Sequence, residues 1–316
     1  KASKRSPYTA VHVNAPALVP VFPSPGQDGG FLGRDTDPLI VGDLTKGTDS
    51  LPNMTLPPEL PPVRIEARRS WLDSVDRYRL HWQNDPAMQA MDTRYSQAFA
   101  MLADPHCREA FNLEAEPAAL RDRYGRHRSG QACLLARRLA EAEVPLITVV
   151  WNHSGRGQDL RPDDPDAFGW DTHNDIFNVM RDHLLPRFDQ SVSALLDDLD
   201  ARGLLDQTLV IIMGEFGRAP RVALEPRFAG ATPGRKHWAN VYSIVVAGAG
   251  VSRGAVFGSS DKIASAPQSD RVAPWDVAAT ALSALGIDPG TEYFDPVGRP
   301  FTATLGQPIT GLYHGS

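Results

Sequence analysis

Cysteine is scarce in this chain, with Cys107 and Cys133 as the two examples in 316 residues. Both stand in separate helix-like segments; they could pair or stay free, so no disulfide framework is claimed and the redox compartment is left open. Long apolar runs are missing too. The longest have the length of a strand, well short of the ~20 residues a membrane helix needs, so no transmembrane segment is expected. Basic residues form no block with interleaved aromatics and the formal net charge is −6, which argues against a nucleic-acid partner. Neither a starting methionine nor a signal-peptide pattern opens the chain, and the beginning reads as the interior of something longer.

What is present suits a folded protein with a sizeable core: 42% of residues are hydrophobic and 22% charged. Three segments are expected. Residues 1–62 form an irregular extended segment rich in Pro, Gly and Asp, with short strand-like pieces at 10–13 and 17–22. Residues 63–143 form a helical segment packing on the core, with helices predicted over 63–82, 87–102 and 120–142. In the last of these, Arg121, Arg123, Arg126, Arg128, Arg137 and Arg138 are expected on a solvated outer face.

Residues 144–316 read as an α/β core, since strand, long helix, strand, loop, strand and helix follow one another. The runs 144–151, 209–213 and 241–247 are short and apolar, as in strands buried on both faces of a parallel sheet. The long helix spans 174–202 with Phe177, Met180, Leu184, Phe188, Val192, Leu195 and Leu199 on one stripe. Pro186 should kink it and Gly203 should stop it. A final helix begins at Pro274 and ends before Gly286; the remaining tail is expected to be loop.

Chemistry-bearing residues fall at the ends of these elements. Gly169-Trp170-Asp171-Thr172-His173 follows the first strand, Met213-Gly214-Glu215-Phe216-Gly217-Arg218 closes the second, and Lys236-His237-Trp238 precedes the third. Open α/β sheets place ligands at their carboxyl strand ends, and two carboxylates with two imidazoles suit a divalent cation. Asp171, His173, Glu215 and His237 are therefore the candidate metal ligands, His237 reaching the others if its loop folds back. Mixed carboxylate and imidazole donors favour zinc or manganese; an oxygen-rich set would take calcium or magnesium. Arg218 has two readings, a bidentate clamp for an anion or a surface ion pair. Thr172 with Asp175 could equally form a helix N-cap, and His153 is a further candidate ligand or acid. The insertion 156–168 reads as a lid, a cation-attracting loop or a plain surface excursion.

Taken together, Asp122-Arg123-Tyr124-Gly125-Arg126-His127, Trp170-Asp171-Thr172-His173, the block 199–205 before 210–218, and His237-Trp238-Ala239-Asn240-Val241-Tyr242-Ser243 before Ala247-Gly248-Ala249-Gly250 resemble the uncharacterised bacterial family fifteen-oh-one, a domain of unknown function. Phe31-Leu32-Gly33 and Gly286-Ile287-Asp288-Pro289 add to the likeness, which covers nearly the whole chain. That family in turn resembles the alkaline phosphatase and sulfatase superfamily. The resemblance implies a parallel-sheet core flanked by helices, a metal at the strand ends and hydrolysis of an anionic phosphate or sulfate ester. Under it Asp171 and His173 match one ligand pair, Glu215 the carboxylate of the next motif and His237 the late histidine.

Two departures qualify the likeness. Phe216 stands where the superfamily usually has a second-motif His, so a site with a single metal is expected. The superfamily's early Asp ligand and hydroxyl or thiol nucleophile belong upstream of Lys1, and none of Ser154, Thr172 or Ser243 matches that position. A separate N-terminal chain or another assembly subunit is thus an expected partner. The rival expectation is a non-catalytic binding subunit that retains the hydrolase fold. A periplasmic or extracellular location follows from the same resemblance.

Overall fold

Alternation builds the first strand of the computed structural model, which describes residues 8–19, 22–46, 109–151 and 168–313 together with Ala67 and Trp71. In β1 (Ala10–Val13) the side chains of Val11 and Val13 are fully buried and their neighbours are less so, the period of two that a strand imposes. β1 is the centre of a three-stranded parallel sheet with β2 (Leu39–Val41) on one side; the other neighbour is named below. The sequence helix at 120–142 is in fact two helices, α1 (Ala118–Tyr124) and α2 (Arg128–Glu141). Gly125, at φ +92, breaks the run, and His127 caps α2 by accepting from the Gly130 N–H at 3.2 Å. β3 (Leu146–Val149) pairs with β1 in parallel register, Ala10 beside Leu146 and Val13 beside Val149.

The chain divides into two compact units, the first comprising Lys1–Gly155 with Gln190–Leu195, the second Arg156–Asp189 with Leu196–Ser316. β3, expected to open the third segment, therefore belongs with β1 and α2. The core of this unit joins Val11, Val13 and Val41 to Phe111, Tyr124, Leu134, Leu135 and Leu139. The arginines of α1 and α2 do not form a solvated face. Arg137 is fully buried, paired with Glu116 at 2.6 Å and Glu141 at 2.7 Å, and the Arg138 side chain is 11% exposed. Acidic partners supplied from outside the helix, such as Glu116, make that burial tolerable. The predicted helices at 63–82 and 87–102 lie outside the described residues apart from Ala67 and Trp71, both helical. His153, Ser154 and 156–167 also lie outside them.

In the second unit the long helix is α3 (Ile176–Val179), a π-helical turn (Met180–Leu184) and α4 (Leu185–Ala201). The widened turn lies immediately before Pro186, which has no N–H to continue an α-helical ladder. One inserted residue rotates everything upstream of it, which is why Phe177, expected on the buried stripe, is 50% exposed while Leu184 and Leu199 are buried. Thr172 is not the helix cap. Asp175 takes that position at φ +55, and its side chain is used elsewhere.

β4 (Val210–Ile212), β5 (Gly217–Arg218), β6 (His237–Trp238) and β7 (Val245–Ala247) make two small antiparallel pairs, β4 with β7 and β5 with β6. The expectation of parallel strands buried on both faces is thus corrected for β4 and β7, whose residues are at most half-buried, Val245 being 53% exposed. A short apolar run carries no signal for strand direction. α5 (Pro274–Ala284) begins with its proline, and the Asp276 carboxylate accepts from the Ala273 N–H at 2.8 Å. The tail is not all loop: Glu292–Phe294 and Pro300–Thr302 pair as an antiparallel hairpin, closed by Asp295, which accepts from the N–H groups of Val297 and Arg299. The fold is a mixture of helix and strand with one small parallel sheet, and no described helix is long and apolar enough to cross a membrane.

Candidate metal centre

Trp170 to Asp175 run in an extended path into α3, which sends Asp171 and His173 to one side and Thr172 to the other. Thr172 is 1% exposed, and its hydroxyl has no hydrogen-bond partner among the described residues. From the other direction come β5 and β6, whose register sets Arg218 opposite His237. Gly217 is required there, since a Cβ on it would lie 2.2 Å from the Val241 carbonyl. The loop that carries His237 does fold back, and it brings the imidazole to Asp171.

Asp171 Oδ1 is the meeting point. His237 Nε2 lies 2.6 Å from it, His173 Nε2 3.4 Å and Arg218 Nη2 3.7 Å. One ligand atom from each of Asp171, His173 and His237 lies within 4.8 Å of the others. In a tetrahedral site with bonds of about 2.0–2.1 Å, neighbouring donor atoms sit about 3.3 Å apart. The His173 to Asp171 distance already has that value; His237 would move outward by less than about 1 Å to match it. One carboxylate and two imidazoles suit zinc or manganese, so the residues present fit the expected ion. Glu215 does not join them: it is exposed, just beyond β4, and it acts on the group through the charge it presents to Arg218.

Aromatic rings wall the two imidazoles. Phe228 stacks on His173 with centroids 3.6 Å apart and planes 6° from parallel, and Phe216 lies tilted on His237 at 4.2 Å. Phe216, which cannot coordinate, thus packs on a ligand. Burial pulls the His173 pKa below its usual 6.5, against the opposing pull of Asp171, so the ring is neutral near pH 7 and able to bind a cation through nitrogen. Arg218 is held from behind, donating to the Trp170 carbonyl at 3.1 Å and the Arg235 carbonyl at 3.3 Å. Its burial lowers its own pKa while Asp171 and Glu215 raise it, and as a guanidinium it stays charged.

Some members of this site were not foreseen from the sequence. Phe228 and the pair Asn174 and Asp175 had no motif of their own, although the spacing of Gly230 and Gly234 before His237 marks a loop pressed closely on something. No curated protein and no solved structure matches the chain. A family match does exist, extending over residues 7–313 and therefore across both units and every residue of the candidate centre. The chain belongs to the family described as "Protein of unknown function (DUF1501)".

Proposed function

We propose that this chain is a metal-dependent hydrolase of phosphate or sulfate esters, with a core related to that of alkaline phosphatases and sulfatases. The observation that carries the reading is the convergence of Asp171, His173 and His237 on one point although 66 residues separate the first from the last. Zinc or manganese is the favoured ion, calcium or magnesium the less suited. When bound, it supplies Lewis-acid polarisation of the ester and a lowered pKa for a water or hydroxyl. The chain's own residues do the rest. Asp171 provides the anionic donor, and His173 and His237 provide neutral nitrogens. Arg218, anchored by two backbone carbonyls, presents its remaining N–H donors to the ester's anionic oxygens and offsets the charge that develops on the leaving group. The nucleophile is assigned to a partner segment or to water, and an extracytoplasmic setting accompanies this reading.

A second reading has one observation in its favour. Phe216 packs on His237 in place of a coordinating residue, as suits a binding subunit that keeps the fold without the chemistry. Metal analysis of the purified chain and hydrolysis of an aryl phosphate and an aryl sulfate, each with and without Asp171→Ala, separate the two. Stoichiometric metal and a hydrolysis rate abolished by the substitution support the hydrolase. Metal-free protein, or turnover indifferent to the substitution, ends it.

A further inference from the structure

The loop between β5 and β6 is an odd element to trust with a metal ligand. Its apolar side chains lie largely in solvent, Val222 at 45%, Leu224 at 50% and Phe228 at 43% exposure, so little hydrophobic burial holds it in place. Yet both bases of this loop enter the centre as Arg218 and His237, and its tip covers His173 through Phe228. Polar contacts from the two residues after His173 take up the task.

Asn174 is 1% exposed and spends its amide on the loop: Nδ2 donates to the carbonyls of Glu225 at 2.9 Å and Phe228 at 3.0 Å, and Oδ1 accepts from the Glu225 N–H at 2.9 Å. Asp175 adds a second clasp. Its carboxylate accepts from the N–H groups of Ala231 at 3.0 Å and Thr232 at 2.7 Å and from the Thr232 hydroxyl, while its own N–H donates to the Thr232 carbonyl. The seam is close-fitting. A Cβ on Gly230 would come 2.6 Å from Asp175 Oδ2 and 2.7 Å from Asn174 Cβ, and one on Gly234 would come 1.6 Å from the His173 carbonyl. Asp175 itself adopts φ +55, a left-handed conformation that a non-glycine residue takes only when its surroundings hold it there.

We propose that Asn174 and Asp175 are positioning residues that latch the loop 219–236 across the segment bearing His173 and so hold His237 within reach of Asp171. This rests on the metal-site reading above. Asp171 and His173 arrive on the same segment and need no latch to meet; His237 does. Opening the latch therefore removes one ligand of three and leaves the other two in place. Ion binding and latching are reciprocally linked, each favouring the other by the same factor.

The test is a double-mutant cycle read in zinc affinity, measured by competition with a chelating indicator on the full chain. Asn174→Asp keeps the shape of the side chain but turns a carboxylate oxygen towards two carbonyls. It is expected to weaken zinc binding by about tenfold to a hundredfold, the range typical of losing a ligand's support, and to match His237→Ala. In a His237→Ala background it should change nothing further. Cobalt-loaded protein gives a spectroscopic companion, the visible spectra of Asn174→Asp and His237→Ala coinciding and differing from that of the parent. Where Asn174→Asp does not fold, Gly230→Ala pries the same seam from the loop side and carries the same expectations. An unchanged affinity in the latch variant, with zinc bound by the parent, overturns the proposal and leaves the metal site standing. Equal weakening in both backgrounds also overturns it, as a general loosening. A parent chain that binds no zinc removes the metal-site reading and the latch with it.

Discussion

His237 Nε2 lies 2.6 Å from Asp171 Oδ1, and both side chains are about two-fifths exposed, at 41% and 39%. A contact so open to water is worth little to the fold, about 0–1 kcal/mol for an exposed pair. Asp171→Asn should accordingly leave the unfolding midpoint of the metal-free chain nearly unchanged while weakening zinc or manganese binding at least about tenfold, because a neutral amide replaces the one anionic donor. Thermal unfolding with and without added metal checks both halves. A large loss of stability in metal-free Asp171→Asn would show the pair to be structural.

Gly130 offers a sign test in the other unit. Inside a helix, glycine to alanine ordinarily adds about 1 kcal/mol of stability. At this position a Cβ would lie 2.3 Å from the Tyr124 carbonyl and 2.5 Å from the Gly125 carbonyl, backbone atoms that cannot swing aside. Gly130→Ala is expected to destabilise by about 1–3 kcal/mol, as overpacking does. A lowered urea midpoint with an unchanged slope is the expected result; a raised midpoint would mean that α1 and α2 are less closely apposed.

How far the sequence could be read depended on whether the governing contacts were local. The stops of α4 and α5 lie in Gly203 and Gly286, at φ +67 and φ +72, and the start of α5 in Pro274, all signals carried by single residues. Asp171, His173 and His237 were recognisable because a metal needs those donor types at element ends. Strand direction was not, since Val210–Ile212 has the same apolar character whether its partner runs with it or against it. Arg137 and Arg138 looked solvated because the carboxylate that satisfies them, Glu116, lies more than a helix length away along the chain. The role of Asn174 was invisible for a similar reason: its partners are about fifty residues downstream and are backbone groups, which leave no mark in side-chain identity.

Cys133 is fully buried in the unit built around β1, and burial pushes its thiol up to about 12, the hydrogen bond with Trp151 pulling slightly the other way. Relative to an ordinary thiol at 9.0, about a thousandfold less thiolate exists near pH 8. In a Cys107→Ser background, iodoacetamide should label the native chain slower than the urea-unfolded chain by at least about a hundredfold. Equal rates would place Cys133 at the surface.

Glu116 is the hinge of the buried charge cluster, its Oε1 lying 2.6 Å from Arg137 Nη2 and also against Arg138 Nη1, with the Arg137 side chain wholly out of water. Burial raises the pKa of this carboxyl, but the hydrogen bonds from Arg137 and Arg138 outweigh it, and the net direction is below the usual 4.5. A carboxyl depressed in the folded state stabilises the fold above its unfolded value of 4.5 and loses that contribution as pH falls through its folded value. Glu116→Gln should cost about 3 kcal/mol at neutral pH, the lower end of the range for breaking a buried pair, because Arg137 keeps Glu141 at 2.7 Å. The difference between parent and variant should then shrink steadily as pH drops below 4.5, since acid neutralises in the parent what the substitution has already removed. Urea unfolding across that acid range measures the gap directly. A gap of constant size would mean that Glu116 acts through packing and not through its charge.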